Sequence, residues 1–305
     1  MSPTGTVYAS GGGVYTVALA DGRTVDASLR GRLKREPRTG SRVVIGDEVT
    51  VAQEGDSWSV ESVAERRTEL VRRGRGGREA KLLAANLDRV FSVLAVLEPP
   101  ASPELIDRML VLVESSGMQP TLVLNKVDLE GGEEAAGSFA ALYEPIGYRV
   151  VPVSARTGKG VDSLREEVCR GTSAFIGPSG AGKSSLLNAL DPALSLRIGE
   201  LSRKTRTGRH TTVGSRLIPL ACGGCVADTP GFGDVALWEV DPQEVVRYFP
   251  ELSPYLDGCR FRGCAHVHEP DCAVRAAVEE GAIAGSRYRS YLKLRGEADE
   301  AADPF

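Results

Sequence analysis

The sequence predicts an α/β protein in three parts: an N-terminal β-barrel of the OB type, a mostly parallel sheet with helices on both faces, and a mainly helical C-terminal region holding a metal. Short β-branched runs separated by glycine, aspartate and proline occupy residues 8–73. From Asp88 onward, apolar runs of strand length alternate with helical stretches. Beyond these, three cysteines and two histidines fall within the fourteen residues from Cys259 to Cys272. These observations divide the chain into a barrel and basic connector (1–80), an α/β domain (81–236), a metal-binding helical domain (237–295) and an acidic tail (296–305) expected to be disordered.

In the first part, the runs 15–19, 23–27, 48–52 and 58–63 read as strands of a small closed barrel. OB is the preferred reading, and another five-stranded barrel would fit the same pattern. Arg66, Arg67, Arg72, Arg73, Arg75, Arg78 and Lys81 follow, interrupted by glycines. They read as a flexible basic connector, with a merely solvated linker as the alternative. The α/β part opens with a strand over 88–97 and a helix over 103–117.

Three motifs give this part its chemistry. The apolar run 120–124 ends in Asn125-Lys126-Val127-Asp128, of the form N-K-x-D. An aspartate carboxylate there accepts from the ring N–H and exocyclic amine of guanine, and adenine offers neither, so the motif reads guanine. Asn125 can bond the base edge and brace a phosphate loop, while the Lys126 stem packs over the ring. The strand 148–153 leads into Ser154 and Ala155, similar to the element whose backbone N–H meets the guanine carbonyl. A buried run over 173–176 then enters Gly177-Pro178-Ser179-Gly180-Ala181-Gly182-Lys183-Ser184, with Ser185 opening a helix. This is the G-x-x-x-x-G-K-S form whose backbone wraps phosphates at a helix N-terminus. With 35 glycines in 305 residues a chance match is conceivable, but the strand before the loop and the helix after it argue against chance. Lys183 is expected at the β- and γ-phosphates and Ser184 on Mg²⁺. Asp228 to Gly231 has the D-x-x-G form that senses the γ-phosphate. A GTPase ordinarily runs phosphate loop, γ-sensor, base reader. Here the base reader comes first, which makes the expected fold a circularly permuted P-loop GTPase domain.

Cys259, Cys264, His266 and Cys272 suit tetrahedral Zn²⁺ with no open position, hence a structural site. His268 competes with His266, and disulfides are the other reading. The N-terminus is not signal-like, which points to a cytoplasmic protein with reduced thiols. Cys222 and Cys225 form a C-x-x-C around two glycines, between the strand-like runs 216–220 and 226–227. A hairpin turn is the simpler account and a redox pair the alternative. Cys169 is expected to be simply buried.

Together these motifs resemble the bacterial ribosome small-subunit-dependent GTPases of the RsgA and YjeQ type, over essentially the whole chain. The most specific stretches are 208–212 with His210-Thr211-Thr212, 259–274, and Ser286-Arg287-Tyr288. The resemblance implies a GTPase in late maturation of the small (30S) ribosomal subunit, binding its rRNA and stimulated by it, monomeric and without a membrane partner. It implies that Thr212, with Thr211 as substitute, closes on Mg²⁺ and the γ-phosphate. Asp228 holds Mg²⁺ through water, and the Gly231 N–H touches the γ-phosphate. Many GTPases place a water-orienting glutamine where this chain has Phe232, so His210 becomes the candidate for that task. An exposed histidine without a chemical role is the alternative. The chain departs from the family in having Val213 after Thr212 and an acidic tail. A formal net charge of −4 leaves rRNA contacts to local patches: 203–209, the connector, and Arg287, Arg289, Lys293 and Arg295. A GTPase of tRNA modification or translation, and a GTP-binding adaptor with little hydrolysis, remain as alternatives.

Overall fold

In the barrel, every second side chain of each run enters one closed interior. Strand β2 (Val14–Leu19) turns Tyr15, Val17 and Leu19 inward. Strands β3 (Thr24–Leu29), β4 (Glu48–Glu54) and β5 (Ser57–Val63) add Ala27, Val49, Val51 and Val60. A strand that the sequence pattern does not announce, β1 (Thr4–Gly11), completes the barrel. Its order is β1-β2-β3-β5-β4, with β4 returning antiparallel to β1. Gly5 conceals the strand in the sequence. A Cβ there would lie 2.4 Å from the Ala18 carbonyl oxygen, so the tight approach of β2 requires a residue of low strand propensity. The computed structural model describes residues 2–30, 43–73, 80–196, 215–228 and 240–302.

The described part of the connector is not the flexible segment expected. It contains an antiparallel hairpin of β6 (Glu69–Arg73) and β7 (Ala80–Ala85), with Leu70, Leu83 and Ala84 buried in the main core. Burial of these three apolar residues orders a stretch whose arginines dominate its composition. Arg66 is tied down too, with its Nε 2.7 Å from Asp47 Oδ1 and a further ion pair to Glu69. Arg75 and Arg78 lie outside the described residues.

The α/β part follows the predicted alternation. Strands β8 (Arg89–Ala95), β9 (Pro120–Asn125), β10 (Arg149–Pro152) and β11 (Thr172–Ile176) are mutually parallel, and β13 (Cys225–Asp228) runs parallel beside β11. β8 and β9 are near-continuous buried runs because both faces are covered. Helices α1 (Pro103–Ser115) and α2 (Gly132–Tyr143) lie over one core cluster, α3 (Val161–Val168) and α4 (Lys183–Leu190) over the other. At the start of α1, Ser102 accepts from the Leu105 N–H at 3.2 Å and Pro103 occupies the first turn, where its missing N–H costs nothing. Strand β12 (Ser215–Pro219) folds back antiparallel on β13, and its outer edge pairs with β1 of the barrel at Ala9↔Arg216 and Ser10↔Ser215. Among the described residues, one sheet of eleven strands thus runs from β10 to the barrel.

The C-terminal part consists of 3-10 turns over Val245–Tyr248 and Pro250–Gly258, then α5 (Ala273–Glu279) and α6 (Gly285–Ala302). The expected disordered tail at 296–305 is helical through Ala302: Ala298 is buried in the local core and Glu297 pairs with Arg108 of α1. Arg287 is no surface contact for RNA. It is 1 % exposed, and its guanidinium meets Asp107 at 2.6 Å and Glu251 at 2.7 Å and lies over the rings of Phe249, Tyr143 and Tyr148. Burial pushes the Asp107 carboxyl up, and Arg287 pulls it back. Lys293 and Arg295 are engaged with Glu104 and Asp299, and Arg289 is exposed.

Candidate nucleotide site and metal centre

The C-terminal ends of β9, β11 and β13 and the turn after β10 carry the predicted motifs to one edge of the sheet, where open α/β sheets bind ligands. The loop from Gly177 to Gly182 leaves β11 and closes at the first residue of α4, Lys183. Two of its glycines are sterically required. A Cβ at Gly177 would fall 2.0 Å from the Val93 carbonyl oxygen of β8. Gly182, at φ +89°, would press a Cβ to 2.3 Å from Asn125 Nδ2. Gly182 offers α4 no side-chain cap, so the helix's first N–H groups are left for an anion. The buried Lys183 Nζ donates to the carbonyl oxygens of Gly177 (2.7 Å) and Pro178 (3.0 Å), and burial pushes its ammonium down to about 8. Polyphosphate at this position would favour the charged form. Ser184 is buried beside it, while Ser179 and Gly180 are exposed at the loop's tip.

Asn125 joins the halves of the site. Its Nδ2 donates to the Ala181 carbonyl oxygen at 2.9 Å, and its Oδ1 accepts from the Ala155 N–H at 3.1 Å. One buried amide thereby braces the phosphate loop, as the motif predicts, and also holds the Ser154–Ala155 turn. Ser154, fully buried, donates through its hydroxyl to Asp128 Oδ1, which holds that carboxyl below the usual carboxylate range. Lys126, at φ +70°, donates to the Glu98 carbonyl oxygen.

Two partners of these residues are not visible from motifs. Arg156, directly after Ala155, pairs with Asp128 Oδ2; its only signal in the sequence is that adjacency. Arg216 Nε lies 3.2 Å from Asp228 Oδ2, and the two residues are cross-strand neighbours in the β12–β13 ladder. The segments with His210, Thr211, Thr212, Gly231, Phe232 and the patch 203–209 lie outside the described residues.

Cys259, Cys264, His266 and Cys272 come together with their ligand atoms all within 4.8 Å of one another. His266 Nδ1 is 3.5 Å from Cys259 Sγ and 3.4 Å from Cys272 Sγ, and the two sulfurs are 3.9 Å apart. Bonds of about 2.3 Å to sulfur and 2.0 Å to nitrogen, arranged tetrahedrally, give edges of roughly 3.5–3.8 Å, so this donor set fits a zinc-sized ion. His268 is exposed, whereas His266 is buried among the three thiols. Glu269 organises the loop. Burial pushes its carboxyl up, but N–H groups of Ala265, Val267 and His268 outweigh that and hold it at about 2. From α6, Tyr288 and Tyr291 donate to the carbonyl oxygens of His266 (2.6 Å) and Ala265 (2.7 Å).

Cys222 lies in the turn between β12 and β13, as the simpler reading expects, and Cys225 opens β13. Cys169 is not simply buried: it is half-exposed and disulfide-bonded to Cys222, because the turn is seated on the end of α3.

Known proteins agree with this arrangement. A family profile described as RsgA GTPase matches residues 63–238. The small ribosomal subunit biogenesis GTPase RsgA of Gemmatimonas aurantiaca is 45 % identical over 97 % of this chain and 97 % of its own. That of Moorella thermoacetica is 42 % identical over 96 % of each. Among solved structures, YjeQ from Thermotoga maritima superposes with a TM-score of 0.80 at 33 % identity, covering 98 % of this chain and 99 % of its own. YloQ, a circularly permuted GTPase, gives 0.75 at 30 % identity over 98 % and 96 %. With the N-K-x-D motif, the phosphate loop and Asp228 brought in permuted order to one sheet edge, the chain belongs to the RsgA GTPase family.

Proposed function

We propose that the chain hydrolyses GTP to GDP and phosphate in the biogenesis of the small ribosomal subunit, binding its rRNA as a cytoplasmic monomer, with turnover stimulated by the subunit. The bridge made by Asn125 carries the reading, because it locks a guanine reader and a phosphate loop from distant parts of the chain into one site. Asp128 and Ala155 select guanine, Lys126 covers the ring, and Ser154 orients the Asp128 carboxylate. The backbone of residues 177–185 and the Lys183 ammonium receive the phosphates. Ser184, Thr212 and Asp228 offer the hydroxyl and carboxylate oxygens that suit Mg²⁺, which when bound neutralises charge developing on the β- and γ-phosphates. Gly231 contacts the γ-phosphate, and His210 orients the attacking water in place of Phe232. The barrel and connector (1–80), the GTPase domain (81–236) and the zinc domain (237–295) act as three modules.

Turnover with and without purified small subunits tests this reading. Subunits are expected to accelerate hydrolysis by about 10²-fold or more, the scale of a water-positioning group completed in trans. In His210→Ala most of that stimulation is lost while GTP affinity and subunit binding stay close to wild type. Activation by free tRNA alone would instead indicate a role in tRNA modification or translation. Absence of turnover under all conditions would leave a GTP-binding adaptor.

Zinc is expected at one ion per chain on Cys259, Cys264, His266 and Cys272. Chelation should unfold mainly residues 240–302, since Cys272 sits in the local core and metal binding there is folding free energy. GTP binding should persist. Elemental analysis without zinc, or an intact C-terminal region in a Cys264→Ser, Cys272→Ser double variant, would overturn this assignment.

A further inference from the structure

Away from the nucleotide edge, the fold brings together a pair of reactive side chains from different elements. Cys169, half-exposed at the C-terminus of α3, and Cys222, exposed in the β12–β13 turn, are 53 residues apart in sequence. Their Cα atoms lie 5.6 Å apart and their sulfurs are bonded. Cys225, the C-x-x-C partner of Cys222 in the sequence, keeps a free thiol 3.6 Å from the Tyr8 hydroxyl.

The seat of this bond does not depend on the bond. Gly224 approaches α3 so closely that a Cβ would fall 2.3 Å from the Val168 carbonyl oxygen and 2.9 Å from Cys169 Cα. The Cys225 N–H donates to the Gly171 carbonyl oxygen at 2.9 Å, and the Ala221 N–H to Asp191 Oδ2 at 2.8 Å. These contacts keep the turn on the end of α3 with the thiols reduced, so the second sulfur stays within reach when the first reacts. The exposed Cys222 supplies the access. At its other end the same hairpin carries Asp228, and β12 begins at Ser215, just after Thr212 in sequence.

We propose that Cys169 and Cys222 form a reversible thiol–disulfide site, with low-molecular-weight disulfides as its oxidant, and that the bond stiffens the hairpin between the two switch motifs. The Cys222 thiolate attacks a small disulfide RSSR, forming a mixed disulfide and releasing one RS⁻. The Cys169 thiolate then attacks the Cys222 sulfur, closing the intramolecular bond and expelling the second RS⁻. The two thiol protons pass through solvent to the released thiolates, so two protein thiols are oxidised and one RSSR is reduced to two RSH. Among reduced thiols such a bond is transient and follows the oxidant, as sensing disulfides do.

The test equilibrates the full-length protein with glutathione and its disulfide at ratios from about 100:1 to 1:1, then alkylates it in denaturant with chelator. Alkylated cysteines should fall from the six of the sequence to four, with Cys169 and Cys222 in one linked peptide and Cys225 alkylated throughout. Added reduced glutathione should restore all six. Hydrogen exchange across residues 217–226 should slow by about threefold or more on oxidation in the wild type and in Cys225→Ser. Cys222→Ser and Cys169→Ser should lose that response, with GTP binding in each as the check that the variant is folded. Six alkylated cysteines at every ratio, or four at every ratio, would overturn the reversible site. A linked peptide containing Cys225 would overturn the pairing, and equal exchange in the two redox states would overturn the stiffening.

Discussion

Asp128→Asn is expected to move base preference from guanine towards xanthine and to weaken GTP binding by about 3–5 kcal/mol, roughly two to four decades in affinity. The native carboxylate accepts from two guanine donors, and both bonds are charge-assisted. The amide turns an N–H₂ towards the guanine amine, while xanthine presents a carbonyl there. The loss is not relieved by local collapse, because Ser154 is fully buried and its hydroxyl is already committed to the residue at 128. Arg156, whose guanidinium pairs with Asp128, would also lose its partner. Equilibrium binding of fluorescent GTP and XTP analogues to both proteins measures the effect. Unchanged GTP affinity in the variant would remove residues 125–128 as the base reader.

Arg287→Met is expected to destabilise the packing of the C-terminal part on the α/β domain by about 3–5 kcal/mol in urea unfolding. The side chain is 1 % exposed and compensates Asp107 of α1, which is fully buried, and Glu251, whose side chain is 7 % exposed. Methionine fills much of the volume but leaves two carboxylates without their cation. Combining it with Asp107→Asn and Glu251→Gln should recover a large part of the loss, because the penalty lies in the orphaned charges and not in the removed bonds. A loss below about 1 kcal/mol in the single variant would show that the carboxylates are solvated or protonated at little cost.

The sequence disclosed whatever is written in short, chemically constrained words. Asn125, Asp128, Lys183, Ser184 and Asp228 fall on one sheet edge because strand ends put them there, and strand ends are legible as apolar runs. The Cys259, Cys264, His266 and Cys272 cluster was legible because a tetrahedral site needs four donors close in sequence or in space, and here they are close in both. What escaped depends on pairing between distant segments. Arg287 looks like a basic surface residue until Asp107 and Glu251 arrive from α1 and the 3-10 turn. The β6–β7 hairpin is hidden by its arginines, although three apolar residues suffice to seat it. The Cys169–Cys222 bond has no spacing rule at all, since it follows from where the β12–β13 turn lands on α3.

The shared ladder between β1 and β12 makes a mechanical path out of what the chain order presents as two separate domains. Among the described residues this ladder has two rungs, and one of these holds Arg216, whose side chain reaches Asp228. A load applied to the barrel wall therefore has somewhere to go: either the two rungs shear, or the strand slides and carries with it the arginine that positions the carboxylate. A gripping partner need not approach the nucleotide to be felt there.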